Sequence, residues 1–281
     1  MFKARVLTSL LLVPVFVLTL FMLPYQYWAA LMLGIASIAA YEWGGMTGMG
    51  KLARHVYWLL TLVTGLLLVF AADWHLVDVN WLVQMQQWMT FWGILVGSLF
   101  WLLIAPAWLA TRHHFRHPLF MALIGWLVLL PMWLAMLSLH TVSPWLVFGL
   151  LLTVWIADSA AYFVGKRFGK RKLAPRISPG KTWEGVLGAW LAVTIYASLL
   201  CYLVPFDWWL VPMLWGVTVL SIIGDLLESL IKRQAELKDS GGLLPGHGGV
   251  LDRIDGLTSS LPLAALFIYF PLYMSVLDTY V

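Results

Sequence analysis

A chain of 281 residues that is 62% hydrophobic and 11% charged, with a mean hydropathy of +0.88, carries more apolar surface than one water-soluble globule can hide. It reads as an integral membrane protein. Apolar runs near the ~20 residues that cross a bilayer recur along it, which excludes the ~10-residue alternating strands of an outer-membrane barrel, and the net charge of +4 has to be judged by where the cations sit.

In chain order the pattern predicts nine spans: 6–23, 25–45, 56–72, 89–110, 119–139, 144–165, 183–204, 209–231 and 258–278. The fold class is therefore an all-α polytopic bundle. The first span follows Lys3 and Arg5 like a signal peptide, but it runs on through Val13, Phe16 and Leu20 without a small-residue cleavage site, so it is expected to be retained. Residues 1–140 read as an amino-terminal set of scaffold helices with short loops, in which Glu42 is the one ionisable residue at membrane depth. Residues 141–281 read as the carboxyl-terminal helices with cytoplasmic-facing catalytic loops. Many of the 18 tryptophans, among them Trp28, Trp74, Trp81, Trp145, Trp208 and Trp209, fall near span ends, as an interfacial aromatic belt requires. The single cysteine, Cys201, lies inside the seventh span with no disulfide partner.

All 17 Lys and Arg fall in five groups: Lys3 and Arg5, Lys51 and Arg54, Arg112 and Arg116, Lys166 to Lys181, and Lys232 to Arg253. With nine alternating spans every group lies on one side. The positive-inside rule then places the amino terminus and these loops in the cytoplasm and the carboxyl terminus outside. The basic bias thus means topology and anionic lipid, and no nucleic acid is expected as a partner. The expected location is the plasma (bacterial inner) membrane, with the active site facing the cytoplasm.

From Asp158 onward, carboxylates enter the spans: Asp158, Glu184, Asp225 and Glu228. At the bilayer centre each costs on the order of 3 kcal/mol, so such residues face a bundle interior, water or a cation. Asp225, Glu228, Ser229 and Lys232 are spaced i, i+3, i+4, i+7, which puts them on one helical stripe, with Arg233 following at the membrane edge. A Glu228–Lys232 intrahelical salt bridge is the structural alternative for that pair. On this stripe the nearest cation to Asp225 is Lys232, two turns away.

The stretch "GKRFGKRKLAPRISPGKTWEG" (165–185) holds seven cations and no acid before Glu184. Its "GKT" is not a P-loop, because Pro175 stands where that motif needs glycine. Lys166 to Lys172 read as topogenic or lipid-facing. Ser178, Lys181 and Thr182 precede a helix expected to start near Trp183, where amino-terminal amides favour phosphate.

The last polar stretch, "KDSGGLLPGHGGVLDRIDG" (238–256), opens with Lys238 and Asp239. It carries Gly241, Gly242, Gly246, Gly248 and Gly249, then Asp252 and Asp255 flanking Arg253. Glycine-rich amides can form an anion nest, and paired carboxylates are hard ligands suited to Mg²⁺.

"SLIKRQAELKDSGGLLPGHGGVLDRID", Ser229 to Asp255, resembles the signature of the phosphatidate cytidylyltransferases, the CDP-diacylglycerol synthases, at every fixed position. "DSAAYFVGKRFGKRKLAPRISPGKTWEG" from Asp158 resembles that family's other shared region. The resemblance implies transfer of CMP from CTP to phosphatidate, with Asp225 and Asp252 at a metal centre containing Mg²⁺ and with Ser229, Lys232 and Arg233 in the same polar cavity. Room is left for a monovalent cation such as K⁺ beside the Mg²⁺, and for a homodimer. CTP, phosphatidate and membrane lipid are the expected partners.

The residues suit that chemistry. Phosphatidate is a phosphomonoester, largely dianionic at neutral pH, so it needs no strong base; the obstacle is repulsion from the triphosphate. The expected roles follow: Asp225 and Asp252, with Asp255 as a third, hold metal, and Lys181, Lys232, Arg233 and Arg253 bind phosphates. The Gly248–Gly249 amides contact CTP. His247 either hydrogen-bonds a phosphate or protonates the leaving group, with a purely structural loop histidine as the alternative. Competing readings are a CTP-dependent polyprenol or phytol kinase, and a membrane transporter.

Overall fold

The computed structural model describes residues 2–70, 80–243 and 248–278 of the chain. A helix covers each expected window: α1 (Phe2–Met22), α2 (Tyr25–Met46), α3 (Lys51–Phe70), α4 (Asn80–Leu99), α5 (Ala105–Thr111), α6 (Pro118–Val142), α7 (Pro144–Phe168), α8 (Trp183–Leu203), α9 (Leu210–Gln234) and α10 (Leu251–Asp278). α4 and α5 form one rod through a π-helical turn, Phe100–Ile104. Pro106, which has no N–H to donate, sits just past that turn and accounts for the break in the regular ladder. Among the described residues six helical runs are long and apolar enough to cross a membrane. Between the expected spans 56–72 and 89–110, residues 71–79 lie outside the described residues, and α4 already begins at Asn80, within the stretch expected to be an outer loop.

Local chemistry explains several helix ends. α6 and α7 both begin with proline at the first position, capped by His117 and Ser143, whose side chains accept from Phe120 N and Trp145 N. At the end of α9, Glu236 takes a left-handed φ of 58°. Leu237 N then reaches the Lys232 carbonyl at 2.8 Å, which ends the helix and releases the glycine-rich chain.

Between α7 and α8 the chain forms a two-stranded antiparallel hairpin, β1 (Lys172–Ala174) with β2 (Ser178–Thr182), in register Lys172 to Thr182 and Ala174 to Ser178. This hairpin departs from a purely helical reading: the Pro175 and Pro179 stretch cannot continue a helix, and the pairing satisfies its backbone groups instead.

Two apolar clusters fill the bundle. One joins Leu20, Trp28 and Trp133 to Val193, Leu214 and Ala264. The other joins Trp43, Tyr57, Trp101 and Trp108 to Leu227, Ile231 and Leu251. Each draws on helices from both ends of the chain, so the polar segments late in the sequence rest on side chains from α2 to α6.

The tryptophans divide. Trp145, Trp208 and Trp209 are exposed, as an interfacial belt requires. Trp28 is not: it is 0% exposed and stacks on His140 at 4.9 Å, so its aromatic face serves core packing.

Candidate active site

Four segments converge. α9 carries the predicted stripe, β2 brings Lys181, the chain after Gln234 brings the glycines, and the first turns of α10 bring Asp252 and Asp255.

On α9, Ser229 Oγ donates to Asp225 Oδ1 at 3.1 Å, one turn back. The other oxygen, Asp225 Oδ2, lies 2.6 Å from Lys181 Nζ. The partner of Asp225 is thus a cation from the hairpin and not Lys232 on its own helix. One turn further, Lys232 Nζ bridges Glu228 Oε2 at 3.0 Å and Asp252 Oδ1 at 2.6 Å. The intrahelical pair therefore exists, but it is half of a triad that ties α9 to α10. Asp158 on α7 faces both Asp225 and Lys181, and Asp255 faces Asp225 and Glu228.

Close packing permits this convergence. Gly224 lies against the Asp255 carbonyl and Ser259, where any Cβ would collide with both. Ser259 Oγ donates to the Leu220 carbonyl at 2.7 Å, so α9 and α10 touch backbone to backbone just where their carboxylates meet.

Asp252 organises the loop. Its Oδ2 accepts from Ser240 N at 3.0 Å and Gly249 N at 2.8 Å. Burial pushes this carboxyl up, but Lys232 and the two amides outweigh it and hold it below the usual carboxylate range. Gly248 has φ 81° and Gly249 packs where a Cβ would strike Ser240 and Glu42, so both glycines are required by the turn itself. The Gly249 amide, expected to contact CTP, donates to Asp252 in this structure.

Thr182, expected beside a phosphate, has a structural task. It is 4% exposed and its Oγ1 accepts from Gly185 N at 3.1 Å: it is the amino-terminal cap of α8. Ser178 is half-buried and paired in the hairpin. Glu184 accepts from the Lys170 and Arg171 amides at 3.1 and 3.2 Å, tying the hairpin to α8. Arg233, Lys238, Asp239 and Arg253 are exposed around the site. His247 lies outside the described residues.

Sequence reasoning gave no site role to Glu42. This α2 carboxylate is 3% exposed, and it accepts from Val250 N at 3.0 Å, Leu251 N at 2.8 Å and Ser240 Oγ at 3.1 Å. The only signal was its isolation as a carboxylate at membrane depth among the first spans.

The donor set can be tested against a divalent cation. Among the described residues no three His, Cys, Asp or Glu side chains converge as a ready cage. Yet Asp158, Asp225, Glu228 and Asp252 gather around two ammonium groups, those of Lys181 and Lys232, and Asp255 adds a fifth carboxyl beside Asp225 and Glu228. Glu228 Oε1 is buried and receives no N–H or hydroxyl donor, and its carboxyl faces that of Asp255. A surplus of hard oxygen donors, two of them carboxyls set against each other, fits Mg²⁺.

The model of the cytidylyltransferase family matches residues 3–271. The chain is 36% identical to a phosphatidate cytidylyltransferase of Pseudomonas aeruginosa over 290 aligned positions, covering 96% of this chain and 97% of that protein. It is 32% identical to one of Haemophilus influenzae, covering 97% and 100%. Against one of Bacillus subtilis the identity rises to 44% over a shorter match, 44% of this chain and 46% of that protein.

Proposed function

The chain belongs to the cytidylyltransferase family, and from that premise we propose that it transfers CMP from CTP to phosphatidate, releasing pyrophosphate and leaving CDP-diacylglycerol in the membrane. In this reaction a phosphate oxygen of the lipid bonds to the α-phosphorus of CTP as the bond to the β-phosphate oxygen breaks. The observation that carries the reading is the paired arrangement Lys181–Asp225 and Lys232–Asp252, drawn from a hairpin and two helices to one place.

Two polyanions must meet, so the site needs positive charge that can be re-partnered. Lys181, 23% exposed at its side chain, is held ready by Asp225 and can swing to a phosphate oxygen. Lys232 is buried and doubly paired, so it fixes the separation of α9 and α10. Arg233, Lys238 and Arg253 supply rim charge for the triphosphate and the lipid phosphate. Ser229 orients Asp225 through its hydroxyl.

Asp225 and Asp255, with the Lys232-facing oxygen of Asp252, would hold Mg²⁺. Bound there, the ion supplies charge neutralisation for the triphosphate and for the departing pyrophosphate. K⁺ beside it, and a homodimer, are further parts of this reading.

Location follows from substrate physics. Acyl chains resist leaving the bilayer by ~0.8 kcal/mol per CH₂, while CTP is confined to water. On this reading the reaction belongs at the inner face of the plasma membrane, and the distribution of cations along the chain supports that side for these motifs.

The test is pyrophosphate release by detergent-purified protein with CTP, phosphatidate and Mg²⁺, with and without EDTA, beside ATP and a polyprenol as alternatives. Release that needs CTP, phosphatidate and metal together supports the reading. CDP formed with a polyprenol and no pyrophosphate with phosphatidate, or no turnover by folded protein, overturns it.

A further inference from the structure

We propose that Glu42, on α2, is a positioning residue for the nucleotide: it closes the neck of the glycine-rich loop and so sets the shape in which the loop meets CTP. The proposal rests on the cytidylyltransferase reading for the identity of the ligand, but its geometry does not.

The loop leaves α9 and re-enters the fold at α10, and its two ends meet at Ser240 and Gly249. Two carboxylates hold that junction. Asp252 takes the Ser240 and Gly249 amides. Glu42 takes the Ser240 hydroxyl with Oε2, and the Val250 and Leu251 amides with Oε1 and Oε2. Three successive amides, 249 to 251, are thereby turned inward, and Ser240 is gripped by both its N–H and its O–H. The consequence is that these three amides are not turned toward CTP, which is left to the other described groups of the loop, among them Gly241, Gly242 and the exposed Lys238.

Glu42 is suited to this and to little else. All three donors it receives are neutral, and its charge is balanced by the amino terminus of α10, which begins at Leu251. Gly241 and Gly249 both pack where a Cβ would strike its carboxylate, so two glycines of the loop are explained by this one side chain. The residue that supplies it lies about 200 positions away in a helix that otherwise packs apolar side chains.

The experiment compares Glu42→Gln, Glu42→Ala and Gly241→Ala with the unaltered protein, reading KM for CTP, KM for phosphatidate, kcat, thermal unfolding, and hydrogen exchange of the Val250 and Leu251 amides without substrate. In Glu42→Gln the new NH₂ faces a donor, and in Glu42→Ala all three donors lose their acceptor. The expected result is a rise in KM for CTP of about tenfold or more, KM for phosphatidate within twofold, and faster exchange at Val250 and Leu251. Gly241→Ala reaches the same end by displacing the carboxylate, and it keeps the test sound if Glu42→Ala does not fold.

Unchanged KM for CTP in folded variants overturns the proposal. So does a loss of kcat in proportion to lost folded protein with both KM values intact, which is what a merely structural residue would give. Exchange is read without substrate, so an unaltered protein that turns over neither CTP nor phosphatidate would sink the reaction while leaving the clamp tested.

Discussion

Helices α2 to α6 and helices α7 to α10 both bury apolar surface, but they treat charge in opposite ways. Among the described residues, the amino-terminal set buries one carboxylate, Glu42, and gives it only neutral N–H and O–H donors. The carboxyl-terminal set gathers Asp225, Glu228 and Asp252 and pairs them with Lys181 and Lys232. A carboxylate satisfied by backbone amides fixes shape, because its partners cannot leave. A carboxylate facing an ammonium group can exchange that partner for a metal ion or a substrate phosphate. The same functional group thus serves as a clamp in one half and as a reactive ligand in the other.

The comparison breaks first at Asp252, which does both. Asp252→Asn keeps an acceptor for the Ser240 and Gly249 amides but turns its charge off in front of Lys232. Turnover is expected to fall by about 10²-fold or more, the scale for losing a preorganised electrostatic group, with helical content retained; pyrophosphate release and circular dichroism check it. Normal turnover would return Asp252 to the class of clamps. Lys181→Met asks the same of an ion pair at the mouth of the site. It leaves Asp225 without its cation, and kcat/KM is expected to fall about 10- to 100-fold through lost phosphate contact while thermal unfolding moves little, since the pair is partly solvated.

Gly224→Ala separates proximity from charge. The added methyl meets the Asp255 carbonyl and Ser259, so α9 and α10 must part at a cost of about 1–3 kcal/mol. No charged group is removed, yet turnover is expected to drop about tenfold because carboxylates on the two helices lose their register. Unfolding and turnover measured on one preparation decide it; lost stability with full activity would show that the site tolerates the shift.

What the sequence disclosed follows the range of each interaction. Spans were legible because ~20-residue apolar runs are local, and the α9 stripe because helical periodicity is local. The partner of Asp225 was not, since Lys181 reaches it from a hairpin whose fold against α9 no spacing rule encodes. Glu42 stood out as a lone carboxylate, but its donors lie about 200 residues away. Trp28 was read as an interfacial residue from its place near a span end and is instead a core residue, because helix position does not tell which face is turned inward. The glycine-rich turn is legible as a run of glycines, but the direction of the Gly249 amide depends on Asp252 and is set only in three dimensions.

Thr182 gives the smallest effect and the sharpest boundary. It sits in the carboxyl-terminal motif beside Lys181, in a stretch that invites a phosphate-binding role, yet it behaves like a residue of the amino-terminal half: neutral, buried and engaged in holding shape. Its hydroxyl caps α8 through Gly185 N, and Gly165, Gly169 and Gly185 all pack closely around it. Thr182→Ser keeps the cap, whereas Thr182→Ala removes it at about 1 kcal/mol. Thermal unfolding is therefore expected to fall in the alanine variant and to recover in the serine variant, with KM for CTP equal in both. If KM for CTP rose in the alanine variant without a matching loss of stability, the hydroxyl would be a ligand after all. The division between clamp and reactive group would then have to be drawn one residue earlier, through the hairpin itself.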